Sequence, residues 1–162
     1  MTYNVLFLCT GNSARSIIAE ATLNRLGKGR FRAHSAGSHP GGKVNPLVLE
    51  YLRAEGLDVG GARSKSWDEF ARSDAPVMDL VITVCDDVAG ESCPVWPMKP
   101  VTAHWGVEDP ARHMDEPDEA RKVIKDVGRI LRNRVLLLVN LPIEKLERAA
   151  FQARAREIGK SS

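Results

Sequence analysis

The stretch Asn4–Ser16, NVLFLCTGNSARS, decides how the rest of the chain is read. Val5 to Leu8 are four apolar residues without alternation, the pattern of a strand buried on both faces. They run into Cys9 and then into Thr10, Gly11, Asn12 and Ser13, before a helical pattern that carries Arg15 and Ser16. Strand, small-residue turn and helix start make a βα unit, and at such a helix start the first backbone amides lack partners. Short side chains let successive N–H groups curl toward one point and form a nest for an anion. Arg15 adds a planar guanidinium that can hold two oxygens of that anion. A thiol in the same field is biased toward its thiolate, and the Ser16 hydroxyl can donate to the sulfur. Thr10, Gly11, Asn12, Ser13, Ala14, Arg15 and Ser16 are therefore the candidate binding loop for a tetrahedral oxyanion, with Cys9 as its nucleophile. A cysteine six places before an arginine is weak by itself. The strand before, the helix after and Gly11 within give the signal its weight.

Outward from this unit, the spacing predicts a helix over Ser13–Leu26, with Ile17, Ile18, Ala21 and Leu26 facing the core and Gly27 stopping it. Phe31–Ala36 reads as a second strand. Asn45 and Pro46 open a helix through Glu55 that Gly56 ends. SWDE, Ser66–Glu69, has capping-box spacing and predicts a short helix. Leu80–Val84 is a further buried strand and Pro100–His104 a shorter one. Pro117–Asn140 is a long amphipathic helix. Pro142 opens a last basic helix through about Ile158, with Ile143, Leu146, Ala150 and Ala153 on one side.

Strands alternating with helices imply an α/β fold, an open parallel sheet with helices on both faces. Ligands bind such sheets beyond the carboxyl ends of the strands. Cys9, Cys85 and His104 all fall at predicted strand ends, so one rim can hold all three.

The 162 residues suit a single domain, with a core over 1–140 and an extra helix and tail over 141–162. The fractions of hydrophobic and charged residues, 43% and 27%, are those of an ordinary globular protein. A net charge of +2 with dispersed arginines gives no case for nucleic acid. The apolar run after Met1 is too short for a signal peptide or membrane span. Three cysteines, an odd number, argue against a disulfide-stapled secreted scaffold and for a reducing cytoplasm. The expected state is a monomer.

The sequence resembles the low-molecular-weight protein tyrosine phosphatase family at CTGNSARS, Cys9–Ser16, and at IIAEA, Ile17–Ala21. It is most similar to that family's arsenate reductase branch, through SAGSHP (Ser35–Pro40), VNP (Val44–Pro46), VITVCD (Val81–Asp86), CPVWP (Cys93–Pro97) and HWGVEDPA (His104–Ala111). The resemblance covers about Tyr3 to Asn140 and implies four parallel strands flanked by helices.

It also implies a relay of three thiols. Cys9 attacks arsenate and forms a thiol–arsenic adduct. Cys85 attacks Cys9, releasing arsenite and leaving a disulfide. Cys93 attacks Cys85 and carries the disulfide to the surface for thioredoxin. Reduction of As(V) to As(III) takes two electrons, which one disulfide supplies. The first bridge needs Cys85 within about 7 Å of Cys9, Cα to Cα. Gly90 and three acids between Cys85 and Cys93 suit a loop that swings. Other readings stay open: Cys85 as a core thiol, Cys93 as a passive loop thiol, or a zinc site of Cys85, Cys93 and His104, which lacks a fourth ligand.

Asp109 is the candidate general acid, by resemblance and because Pro110 stiffens its loop. Glu108 competes with it, and an Asp-Pro pair is also an ordinary turn. Asn12 and Ser35 match positions that hold the anion loop in shape, and Glu20 matches a ligand of a structural potassium ion in some relatives. Lys65 stands where those relatives place a carboxylate. Either its ammonium takes the cation's place beside Asn12, Glu20 and Ser35, or it is a solvated surface lysine. Ala14 stands where some relatives have a cysteine. His104, with Trp105 and Gly106, is expected to shape the floor of the site.

The leading function is thus a thioredoxin-coupled arsenate reductase with no bound cofactor or metal. The runner-up is a phosphatase acting on phosphotyrosine-like esters, although Ala111-Arg112 follows Asp109-Pro110 where that branch has aromatic residues. A thiol switch or metal-binding module is the non-enzyme reading. It would use Cys85 and Cys93 without Arg15 or Asp109. A small thiol with glutaredoxin is the alternative reductant.

Overall fold

The structure is a computed structural model and describes residues 2–85, 96 and 99–161. The apolar run of the N-terminus becomes β1 (Tyr3–Cys9), with Val5 to Leu8 wholly inaccessible. A helix, α1 (Arg15–Leu26), follows it and stops at Gly27, whose N–H reaches back to the Leu23 carbonyl. On one edge of β1 lies β2 (Phe31–Gly37), paired in parallel from Tyr3–Phe31 to Cys9–Gly37. On the other edge lie β3 (Leu80–Thr83) and then β4 (Val101–His104), also parallel, so the order is β2-β1-β3-β4. The expected four-stranded open parallel sheet is the one found.

From β1 the chain steps one way to β2, and from β2 it returns past β1 to β3. Right-handed crossovers then put the two connections on opposite faces. Helix α1 occupies one face. On the other, Phe70 of α3 (Asp68–Ala71) meets His34 of β2 with ring centroids 5.4 Å apart. Helix α2 (Pro46–Ala54) starts as its sequence predicts, with the Leu47 N–H donating to the Asn45 side chain at 2.9 Å. A long helix, α4 (Pro117–Val139), packs on α1 and α2 through Val123, Ile124, Val127, Leu131, Val135 and Leu138. Gly128 interrupts that stripe for a reason of space: a methyl there would lie 2.0 Å from the Tyr51 hydroxyl. The α2 tyrosine thus rests on bare α4 backbone.

Two local expectations are corrected. Ser66 does not form a reciprocal capping box. Its hydroxyl accepts from the Asp68 N–H at 3.1 Å, but the Glu69 carboxylate turns away to Arg63, at 2.7 and 3.1 Å. A charged fork outbids a single backbone amide for that carboxylate. Nor does Pro142 open the last helix. Ile143–Lys145 make one 3₁₀ turn, Leu146 and Glu147 are extended, and α5 begins only at Arg148 (Arg148–Ile158). The Arg30 guanidinium holds this path. It donates to the carbonyls of Val139 and Leu141 and pairs with Glu144 at 3.3 Å. The later start rotates the buried stripe to Phe151, Ala155 and Ile158, leaving Ala150 and Ala153 exposed.

No helix among the described residues is long and apolar enough to cross a membrane.

Candidate active site

Cys9 ends β1 with its side chain 3% exposed, and the chain turns at once into the loop that starts α1. Four loop carbonyls are held from outside. Those of Cys9, Thr10, Gly11 and Ser13 accept the N–H groups of Ser38, His39, Gly41 and Asn45, at 3.3, 2.9, 3.2 and 2.9 Å. In a trans peptide the C=O and the following N–H point opposite ways. Carbonyls turned outward therefore turn the amides of Thr10, Gly11, Asn12 and Ala14 inward. Asn12 makes the turn with φ of 47°, a left-handed conformation that asparagine adopts more readily than most residues. Its N–H reaches the Cys9 Sγ at 3.2 Å.

The Asn12 carboxamide works on both sides. Its Oδ1 accepts the Lys65 backbone N–H at 2.8 Å, and its Nδ2 donates to the Ser16 Oγ at 2.8 Å. The Ser16 oxygen is thus an acceptor for Asn12, which frees its proton for the Cys9 Sγ, 2.9 Å away. An amide and a hydroxyl are thus aimed at one sulfur. Gly37, the last residue of β2, lets the loop lie close, because a methyl there would stand 2.5 Å from the Thr10 carbonyl oxygen.

Arg15 is nearly covered and meets the strand-end loop after β4. Its Nη1 donates to the Val107 carbonyl at 3.3 Å, and its Nη2 lies 3.4 Å from the Asp109 Oδ2. Asp109 also accepts the Ala111 N–H at 3.0 Å, capping the 3₁₀ turn Pro110–His113. Glu108 is engaged by His113 at 3.0 Å, which leaves Asp109 as the carboxylate facing Arg15. Arg15, His104, Gly106, Val107, Asp109 and Arg112 are among the residues lining a cavity of about 420 Å³. His104, at the end of β4, contacts the Thr83 hydroxyl through Nδ1 at 2.6 Å.

Cys85 follows β3 and is buried, and its sulfur lies 3.6 Å from the Thr10 Oγ1. The second thiol therefore touches the loop that starts at the first. Both are free thiols. Cys93 lies outside the described residues. Among those described, no three His, Cys, Asp or Glu side chains cluster as metal ligands would.

Behind the loop, Lys65 is 6% exposed, which excludes the solvated surface lysine. Its Nζ donates to the Arg63 carbonyl at 2.9 Å and to the Ser35 Oγ at 3.3 Å, and Ser35 in turn donates to the Glu20 Oε1 at 2.7 Å. Asn12 meets the lysine through its backbone N–H, so Lys65 links Ser35 to the anion loop. Burial holds the Lys65 ammonium below its ordinary range, against the pull of Glu20. Burial likewise raises Glu20, which Lys65 and Ser35 partly oppose. The backbone contact between Lys65 and Asn12 was not readable from sequence, because a main-chain donor carries no side-chain signature.

The profile of the family described as low molecular weight phosphotyrosine protein phosphatase matches residues 4–148. The arsenate reductase of Bacillus subtilis is 35% identical over 115 residues, 71% of this chain and 79% of that protein. The thioredoxin-dependent arsenate reductase of Corynebacterium glutamicum superposes with a TM-score of 0.53 at 28% identity, over 81% of this chain and 62% of that one. A solved arsenate reductase in its phosphate-binding state superposes with a TM-score of 0.64 at 28% identity, over 83% of this chain and 98% of that one. The chain belongs to the low-molecular-weight phosphotyrosine protein phosphatase family. Within it, the chain stands in the arsenate reductase branch.

Proposed function

We propose that the protein reduces arsenate to arsenite by passing a disulfide from one sulfur to the next. The observation that carries this reading is the second buried thiol, Cys85, held 3.6 Å from Thr10 of the anion loop, where a phosphatase needs no second sulfur. Arsenate enters the ring of inward amides and is clamped by Arg15. The Cys9 thiolate attacks arsenic, and Asp109 gives a proton to the departing oxygen, so water leaves and a Cys9–arsenic bond remains. The Cys85 thiolate then attacks Cys9. The sulfur–arsenic bond breaks, its electron pair goes to arsenic, and arsenite departs from a Cys9–Cys85 disulfide. Attack by Cys93 on Cys85 frees Cys9 and leaves a Cys85–Cys93 disulfide for an external dithiol to reduce.

Thioredoxin is the donor this reading favours, in line with the Corynebacterium relative; a small thiol with glutaredoxin is the alternative. The Lys65 ammonium supplies a fixed positive charge beside Glu20 and Ser35, in place of a metal cation. The phosphatase chemistry of the family is retained as a side activity, since phosphate and arsenate share shape and charge and the loop reads both.

The test is NADPH consumption with arsenate, thioredoxin and thioredoxin reductase. Cys85→Ser and Arg15→Ala should each abolish turnover, and Cys93→Ser should stop it after one cycle. Full turnover by Cys85→Ser would overturn the relay, and unimpaired ester hydrolysis in that variant would then favour the phosphatase.

A further inference from the structure

The outer edge of β4 carries a row of contacts that the chemistry above does not use. On an edge strand every second carbonyl faces away from the sheet, an exposed template unless covered. Here Arg148 donates to the Pro100 carbonyl at 3.2 Å and Arg156 to that of Thr102 at 3.3 Å. At His104 the tail itself closes in, since a methyl on Gly159 would lie 2.2 Å from the His104 carbonyl oxygen. At Gly106 the cover is Arg134 of α4, whose Nη1 donates to that carbonyl at 3.2 Å while its Nε donates to the Ser161 carbonyl at 3.0 Å. Helix α5 is fastened to the same segment from its own end. The Trp105 indole N–H donates at 2.9 Å to the carbonyl of Ala155, one of the last four of α5.

The opposite side of this segment is tied to the sheet, with the Trp105 N–H on the Thr83 carbonyl at 2.7 Å and the Val107 N–H on that of Val84 at 3.2 Å. Gly106 is thus held by Arg134 between two neighbours that are tied to β3 and the residue after it. The next carbonyl, of Val107, receives Arg15, and Asp109 follows two residues later. Arg134 is 6% exposed, and such a buried cation is retained only where its donors are used.

We propose that Arg134 is a positioning residue for catalysis: together with the α5 tail it fixes Gly106, and so sets the Val107–Asp109 loop at the height where Asp109 meets an anion held by Arg15. This rests on the reading of Asp109 as the general acid. The C-terminal helix then belongs to the working site and not only to the fold.

The experiment compares hydrolysis of phenyl phosphate and 2,4-dinitrophenyl phosphate by the full-length protein. Phenolate leaves poorly without a proton, whereas dinitrophenolate leaves unaided, so a misplaced acid slows attack by Cys9 only on the first; hydrolysis of the phosphocysteine, common to both, does not enter kcat/KM. Arg134→Met and the separate variant Gly159→Ala, which wedges the tail from His104, should each lower kcat/KM for phenyl phosphate by about tenfold to a hundredfold. For the dinitrophenyl ester kcat/KM should stay within about threefold, because the amide ring is untouched. Any shift of Arg15, which the Val107 carbonyl holds, weighs on both esters alike, so the ratio of the two isolates the acid. Arg134→Lys should recover part of the loss, since an ammonium can serve one of the two carbonyls. Equal slowing of both esters, or of neither, would overturn the proposal. Asp109→Asn is the separate check on the reading beneath it. If that variant shows no preference between the esters, or the native protein hydrolyses neither, the site reading fails and the proposal with it.

Discussion

Asn12 shapes this site with its backbone and with both ends of its carboxamide. It bends the loop, sends its own amide to the sulfur, and passes a hydrogen bond to Ser16 while receiving one from Lys65. Ser16 was legible in the sequence because it stands in the first turn of the helix that follows the loop from Cys9. The bend at Asn12 was legible only as a small-residue turn, since a left-handed φ is one of several conformations asparagine accepts. Ser16→Ala should remove a donor from the sulfur and strand the Asn12 Nδ2. Alkylation of Cys9 by iodoacetamide at pH 7 should slow by about tenfold, with arsenate turnover falling in step. Gly37→Ala should push the Thr10 carbonyl outward, lowering kcat and also costing about 1–3 kcal/mol of stability, which ester or arsenate kinetics beside a urea melt would show.

At the scale of elements, α1, β2 and the segment before α3 are joined behind the loop by Glu20, Ser35 and Lys65. Removing one partner of a mostly buried charge pair leaves the other uncompensated. Lys65→Met should therefore destabilise by about 2 kcal/mol, and Lys65→Met with Glu20→Gln by less than the sum of the two changes. Urea denaturation of the three variants measures this. Turnover of the native protein should respond to potassium chloride no differently from sodium chloride at equal ionic strength. A strong rise with potassium would show that Lys65 does not fill a cation's place. Strands β1 and β3 and helix α2 were readable because unbroken apolar runs and the Asn45-Pro46 start are local signals. Helix α5 was misplaced because its start depends on Arg30, more than a hundred residues earlier, which no local pattern reports. The pairing of Glu69 with Arg63 escaped for a related reason, as two partners competed for one carboxylate.

Across the whole molecule, the site is assembled from segments far apart in the chain: the ends of β1 and β3, the loop after β4, and the turn at Lys65. The parallel sheet does this by bringing strand ends to one rim, which is why Cys9, Cys85 and His104 could be grouped from sequence. What could not be read was depth, such as the burial of Lys65 and Arg134. His34, between β1 and α3, shows depth at work. Burial first, then Arg32 and Lys65, lower its pKa from 6.5 to about 4. Between those values the unfolded chain binds the proton and the folded chain does not. Stability should therefore rise with pH across that window and be lost as acid is added. The loss should be roughly 1 kcal/mol, allowing for the part exposure of the ring. Urea midpoints from pH 7 to pH 4.5 should fall, and His34→Gln should flatten the slope.

The tyrosine resting on bare backbone at Gly128 links two helices whose fates cannot be separated. Any side chain at 128 would lift Tyr51, and with it the helix that starts beside Asn45, whose amide anchors Ser13. Positions 51 and 128 can therefore drift only in concert, large against absent or small against small, and a change at either alone would be felt in the shape of the oxyanion ring.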